Sequence, residues 1–297
     1  MNVRPATEDD LETVLRLLIE DEEFLLRRPS RIGIGDLRQW MHRVDIARDT
    51  WIFEEGNGMQ AFGWAELTGD LGLAVGIVRP QAKGAGLGTQ LVETSERRLL
   101  ELGATRVHQI AFAIDQRACE LLERHGYHEA RRFYEMAVAL DGPPPPPVVP
   151  EGMAIETFDP TEARAYYAAL DESFEDHWEH HSEGYEAWWE RVQTSPAFDP
   201  TLWFVVRDGD EIAAVARNDA NRGGGGWVGA LGVRRAWRRQ GLGRALLLHT
   251  FGEFHRRGFN RAALGVDTQN PTGATRLYES VGMTPEMEQV VYERTLT

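Results

Sequence analysis

The chain has 297 residues, enough for about two domains, and 42% of them are hydrophobic, which can fill two buried cores. Acidic side chains outnumber basic ones by 47 to 32, and the resulting net charge of −15 repels a nucleic-acid backbone while favouring a cationic partner such as an amine. No apolar run reaches the roughly 18 residues of a membrane span, the opening MNVRPATEDD lacks the apolar stretch of a signal peptide, and a lone cysteine, Cys119, excludes an internal disulfide. A cytoplasmic protein with no membrane and no nucleic-acid partner is expected.

In chain order, MNVRPA predicts a short strand and TEDDLETVLRLLIEDEEF an acidic helix. TWIFEEGNGMQAFGWAEL reads as two strands paired around an Asn-Gly turn. A further strand runs into RPQAKGAGLGTQLV, a glycine loop that opens a long helix. RVHQIAFA is then a strand, a short helix carries Cys119 as a buried apolar residue, and ARRFYEMAVAL closes the first half. DGPPPPPVVPEG, residues 141–152, holds five consecutive prolines, which remove backbone donors and favour a stiff extended path; it is read as a linker.

The order then repeats: GMAIETF as a strand, PTEARAYYAALDESF as a helix, and LWFVVRDGDEIAAVARND as paired strands around an Asp-Gly turn. Strand WVGALGV follows, ending at Val233, with a glycine loop over 234–243 and a helix on which Leu247, Phe251 and Phe254 form a core-facing stripe. RAALGV, a short helix and EQVVYERTL complete the second half. A repeat of roughly 150 residues predicts duplicated mixed α/β domains rather than a solenoid, with residues 1–140 as the first, 141–152 as linker and 153–297 as the second.

The second glycine loop, RRAWRRQGLGRALLL, combines a helix mouth with arginines at 234, 235, 238 and 239. The first N–H groups of a helix lack internal partners and carry the positive end of its dipole, so they attract anions. Gly241 and Gly243 leave the backbone bare, and guanidinium groups suit phosphate, so the pattern points to a phosphate or diphosphate ligand. A Walker loop is excluded because GxxxxGK[ST] does not occur, and a dinucleotide fingerprint because Leu246, and Leu91 in the first half, stand where the third glycine belongs.

The run Arg238-Arg239-Gln240-Gly241-Leu242-Gly243 resembles the acetyl-CoA signature of the GCN5-related N-acetyltransferases, and GVDTQNPTGATRLYESVGM, residues 265–283, is similar to that family's second coenzyme segment. The doubled layout resembles tandem acetyltransferases of the mycothiol synthase type, which acetylate a cysteinyl amine on a sugar-inositol carrier. The resemblance implies two tandem domains, each a mostly antiparallel mixed sheet with a splayed central parallel pair flanked by helices. It further implies an acetyl-CoA-dependent N-acetyltransferase acting on a small-molecule primary amine by direct attack in a ternary complex. By matching position, Leu231, Gly232, Val233, residues 238–243, Arg244 and Asn270 would hold acetyl-CoA, with a backbone amide near Leu231–Val233 polarising the thioester carbonyl. Tyr278 would be the catalytic acid for the departing thiolate.

The first-half loop, with Lys83, Gly84, Gly86 and Gly88, matches as a second, degenerate coenzyme site, since Leu122 stands where Tyr278 does. The family often places a glutamate on the strand before the loop, yet Gly223 to Val233 contains no acid and Trp227 occupies the region. A base would then come from FEDHWEHH, which offers Glu175, Asp176, His177, Glu179, His180 and His181, with His177, Trp178 and Trp227 as candidates for the acceptor site. HWEHH is not a zinc arrangement, and no metal is expected. Two other readings stay open: a different acyl-CoA donor, and a noncatalytic acyl-CoA sensor. A monomer or homodimer is expected.

Overall fold

Alternating strands and helices follow one another twice along the chain in the computed structural model, which describes residues 1–56, 58–270 and 273–296. The elements are β1 (Asn2–Arg4), α1 (Leu11–Leu26), α2 (Ile34–Trp40), β2 (Thr50–Glu55), β3 (Gly58–Thr68), β4 (Leu71–Val78), α3 (Leu87–Leu102), β5 (Arg106–Phe112), α4 (Gln116–Arg124) and β6 (His128–Ala139). They continue as β7 (Met153–Thr157), α5 (Ala163–Phe174), α6 (Tyr185–Gln193), β8 (Phe204–Asp208), β9 (Glu211–Arg222), β10 (Gly225–Val233), α7 (Leu242–Arg256), β11 (Arg261–Asp267), α8 (Ala274–Ser280) and β12 (Thr284–Thr295). Helices α2 and α6 lie outside the elements read from the sequence, since each is short; on α6, Tyr185, Trp188 and Trp189 fall at i, i+3 and i+4 and share one face.

Two compact units result, one of residues 1–133 with 287–296, the other of Tyr134–Glu286. A cut at the proline-rich segment therefore misplaces both closing strands. In the first unit the strand order is β1-β2-β3-β4-β5-β12, and the last strand of the chain pairs antiparallel with β5 from Gln289 opposite Phe112 to Thr295 opposite Arg106. In the second the order is β6-β11-β10-β9-β8-β7, and Leu140 N–H donates to the Asn260 carbonyl at the end of β6. Alternation identifies a strand but not the edge it joins, and parallel neighbours leave an edge that either closing strand can satisfy.

Among the described residues β4 pairs parallel with β5 and β10 with β11 at the centre of each unit, while β1 to β4, β5 with β12, and β7 to β10 pair antiparallel. Pairing of β4 with β5 runs from Leu71 opposite Arg106 only to Ala74 opposite Gln109. That of β10 with β11 covers Gly226 opposite Ala262 and Trp227 opposite Ala263. Beyond these pairs the strands part. Two irregularities in the β9–β10 register, between Gly225 and Trp227 and between Val228 and Ala230, bend β10 as it leaves its neighbour.

In the second unit α5 and α7 cover opposite faces of the sheet. Tyr166 of α5 packs with Trp203, Val205 and Val215, whereas Leu242 and Leu246 of α7 pack against Phe204, Val206, Ala214 and Ala216, the alternate positions of β8 and β9. The stripe of Leu247, Phe251 and Phe254 is fully buried. Gly226 exists for this packing, because a Cβ there would lie 2.3 Å from the Phe254 ring. Gly226→Ala is expected to lower stability by about 1–3 kcal/mol through overpacking; thermal unfolding that leaves the midpoint unmoved would show that α7 can shift at no cost.

Candidate active site

Strand β10 ends at Val233, passes through a single 3-10 turn at Arg235–Trp237 and delivers the chain to α7. Gly241 is the N-cap of α7, with φ 84° and ψ 1°, and no side chain bonds to the first turn. The first helical bond runs from Ala245 N–H to the Gly241 carbonyl at 3.0 Å, so the amides of Leu242, Gly243 and Arg244 precede any intrahelical acceptor. The helix mouth thus keeps its donors and its positive dipole end for something outside the helix.

The glycines serve the backbone and the packing rather than close approach alone. A Cβ on Gly241 would meet nothing within 4 Å, and what requires glycine there is the positive φ. A Cβ on Gly243 would lie 3.0 Å from Cδ2 of Leu277, where α8 rests on α7. The first unit repeats this construction: Gly86 has φ 82° at the N-cap of α3, and a Cβ on Gly88 would come 2.7 Å from Cδ2 of Leu121 on α4.

Of the four arginines, three are already engaged. Arg234 donates to Glu172 at 2.6 Å and Glu211 at 2.8 Å, and Arg235 pairs with Asp176 at 2.7 Å and Glu175 at 2.8 Å. Arg238 donates to the Val233 carbonyl at 3.2 Å, to Asp176 at 3.0 Å and to the Ser173 carbonyl at 3.4 Å. They tie the loop to the C-terminal end of α5 and to β9, a pairing that spacing along the chain could not reveal. Arg239 and Arg244 differ: both are exposed and have no side-chain partner among the described residues. Arg239 also sits at φ 65°, a left-handed conformation that its counterpart Gly84 adopts freely at φ 94°. The side chain of Gln240 turns back to the Ala236 carbonyl at 3.5 Å.

Leu231, Gly232 and Val233 pair with Ala216, Val215 and Ala214 of β9 on one side, while β11 has already parted from them on the other. Gly232 lets α5 close down on the sheet, since a Cβ there would lie 2.6 Å from Cβ of Ser173 and 3.4 Å from the Phe174 ring. Asp267 closes β11, four residues beyond Ala263, the last β11 residue that pairs with β10. After Asp267 the chain turns, with Asn270 N–H donating to the Asp267 carbonyl at 3.1 Å, and α8 begins at Ala274. Pro271 and Thr272 lie outside the described residues.

Tyr278 is the buried residue of α8, 8% exposed, and its hydroxyl has no hydrogen-bond partner among the described residues. Burial pushes its pKa up to about 12, so it is a protonated phenol at neutral pH. The match with Leu122 is structural as well as sequential: Met283 N–H donates to the Tyr278 carbonyl and Tyr127 N–H to the Leu122 carbonyl, each at 3.1 Å.

The segment after α5 sorts its titratable groups. Asp176 is held below the usual carboxylate range by Arg235 and Arg238, and Glu175 is paired with Arg235. His181 is exposed beside Glu179, and His180 lies 3.1 Å from Asp171. His177 is half-buried, its ring 4.3 Å from that of Phe174, and burial pushes its pKa below the ordinary imidazole value. Trp178 follows it in the same half-buried turn. Trp227 lies five residues before Gly232, about 16 Å back along β10 by strand rise, where the Arg222 guanidinium stacks over its ring at 4.2 Å. Phe174 and Asp267 lie within the quoted segments FEDHWEHH and GVDTQNPTGATRLYESVGM, but neither was singled out, because nothing in the spacing shows what each one faces.

In the first unit, the parting of β4 and β5 opens a cavity of about 620 Å³ lined by Gly76, Val78, Gln109, Ile110 and residues of the loop and α4. Lys83 sits at its mouth between Asp21 and Asp115, 2.8 Å from each, and is therefore neutralised rather than free for an anion.

The model of the acetyltransferase (GNAT) family matches residues 18–127 and again 163–283. The chain belongs to that family. As a GNAT protein it is an N-acetyltransferase, and acetyltransferases of this family use acetyl-CoA as cosubstrate. A mycothiol acetyltransferase of Thermobispora bispora is 33% identical over 225 residues, covering 73% of this chain and 74% of that one. One from Streptomyces coelicolor is 28% identical over 96% of this chain and 92% of its own. The crystal structure of a GCN5-related N-acetyltransferase from Sphaerobacter thermophilus superposes with a TM-score of 0.88 at 29% identity, covering 99% of this GNAT and 95% of that chain. A tandem GNAT protein of the clavulanic acid biosynthesis pathway shares the fold at a TM-score of 0.79 and 15% identity. No helix among the described residues is long and apolar enough to cross a membrane.

Replacing Arg239 by glycine removes the left-handed strain, and Arg239→Gly is expected to raise stability by up to about 1 kcal/mol. A fall in the unfolding midpoint would show instead that the arginine makes a compensating contact.

Proposed function

We propose that the second unit transfers an acetyl group from acetyl-CoA to the primary amine of a small molecule, by direct attack while both substrates are bound. The observation that carries this reading is the uncapped mouth of α7 beside the parted strands β10 and β11. The amides of Leu242, Gly243 and Arg244 would take the diphosphate, with Arg239 and Arg244 adding charge, while Arg238 holds the loop in place through Val233, Ser173 and Asp176. Asn270 would bind the pantetheine arm as it lies between the strands. A β10 amide near Leu231–Val233 would polarise the thioester carbonyl, and Tyr278, neutral at physiological pH, would protonate the departing sulfur.

The names of the curated relatives support an acceptor of their kind, a cysteinyl amine on a sugar carrier. An amine of that class loses its proton near pH 8, roughly two units below a lysine, which eases attack at neutral pH. The first unit is proposed to be noncatalytic: Leu122 supplies no proton where Tyr278 would, and Lys83 is committed to two carboxylates.

Acetyl-CoA with an amine panel that includes an S-alkylated cysteinyl-glucosamine tests the activity, read as CoA release and acetylated product by mass spectrometry. Tight acetyl-CoA binding without product across the panel would instead identify a sensor. Tyr278→Phe is expected to lower kcat by about 100-fold with acetyl-CoA affinity unchanged; unaltered turnover removes Tyr278 from the chemistry. Arg239→Glu should weaken acetyl-CoA binding by about tenfold or more by calorimetry, and full-strength binding would place the diphosphate elsewhere.

A further inference from the structure

A base for the amine is the one element that β10 does not provide. Position 227, on the α5 face of β10, is a tryptophan, and the nearest sheet carboxylate, Asp219 opposite it on β9, is 3.7 Å from the Arg222 guanidinium. The acceptor must approach from that same face, because α7 and α8 occupy the other.

What spans the opening on the α5 face is the turn after α5. The missing side chain of Gly232 makes room for Ser173, which brings Phe174 against β10, and the His177 ring packs on Phe174 at 4.3 Å. From the other strand, Asp267 at the end of β11 is the charge that acts most strongly on His177. Through Phe174, the imidazole is thus held beside Gly232, in the stretch of β10 that β11 has left and where the polarised carbonyl would be. We propose that His177 is the general base that takes the proton from the attacking amine. The inference rests on the acetyl-transfer reading above.

The groups facing His177 suit this role. Asp267 favours its protonated form, while burial, His180 and Arg238 favour the neutral one, with Asp176 opposing them from its own turn; burial prevails. A neutral imidazole near pH 7 is competent to accept a proton, and Asp267 stabilises the imidazolium that forms. The nitrogen sheds its proton to His177 as the C–N bond forms, the C–S bond breaks, and Tyr278 supplies the proton for sulfur. The imidazolium and the phenolate then exchange a proton through solvent, so the net change is one proton from nitrogen to sulfur. An amine that binds as the ammonium releases one further proton to solvent.

The test is the pH dependence of kcat/KM for wild type, His177→Gln and Tyr278→Phe, with acetyl-CoA and the S-alkylated cysteinyl-glucosamine as substrates and acetyl-CoA affinity measured in parallel. Wild type should lose activity as pH falls through an imidazole ionisation below about 6.5. His177→Gln should lose about 100-fold at pH 7 with unchanged acetyl-CoA affinity. Its remaining rate should climb with pH until the free amine itself deprotonates, and added imidazole should restore part of it. Tyr278→Phe should keep the acidic limb. A His177→Gln enzyme that retains both its rate and the wild-type acidic limb overturns the assignment. Failure of the underlying reading shows differently, as wild-type protein that binds acetyl-CoA and acetylates no amine, and it overturns the base as well.

Discussion

Parallel pairing between β10 and β11 ends after two residues, and the acetyl transfer proposed for the second unit depends on that break. A continuous parallel sheet would satisfy its backbone and present a closed surface to either face. Where the strands part, one edge of β10 beyond Trp227 keeps its polar groups free of β11, beside a helix whose own first amides are uncapped. A thioester linked to a diphosphate has this shape and charge: an extended amide-containing arm that can stand in for a strand, ending in an anion that suits a helix mouth. Register irregularities in β10 and the glycine at 232 are the local means by which the strand bends and α5 approaches it.

Electrostatics around the loop divides between holding and binding. Arg234, Arg235 and Arg238 carry three positive charges that Glu172, Glu175, Asp176 and Glu211 offset, so their contribution is to fix the loop against α5 and β9. Most of these pairs are partly exposed, where each is weak, but together they restrain one short segment. What remains for an anion is the backbone dipole with Arg239 and Arg244. The strained φ of Arg239 is consistent with a residue kept for its charge at a position where glycine would be the relaxed choice.

Much of the fold was legible in the sequence because its signals are local. The Asp-Gly turn, the helix stripe of Leu247, Phe251 and Phe254, and the glycines at the helix mouths each express a constraint acting within a few residues, while Asn57 of the expected Asn-Gly turn lies outside the described residues. Exchange of the closing strands was not legible, since β6 and β12 carry similar alternation and only the two available edges decide where each goes. Nor were the carboxylates paired with the arginines, which lie 23 to 62 residues away in sequence. Phe174 and Asp267 escaped for the same reason, their importance arising from a gap between strands that no spacing describes.

Comparison of the two halves separates what the loop needs for folding from what it needs for chemistry. Gly86 and Gly241 share the same φ, and Gly88 and Gly243 each admit a leucine from the following short helix, so the glycines are required by geometry in both units. Their presence therefore says that a helix starts there with its mouth open, and no more. The differences lie in the side chains that geometry leaves unconstrained: Lys83 locked between Asp21 and Asp115 against an unpaired Arg239, and Leu122 against Tyr278 at equivalent points of α4 and α8. A duplicated fold can keep its architecture in both copies while only one retains a proton donor at the point where a thiolate would leave, because the backbone constraints and the chemical ones fall on different residues.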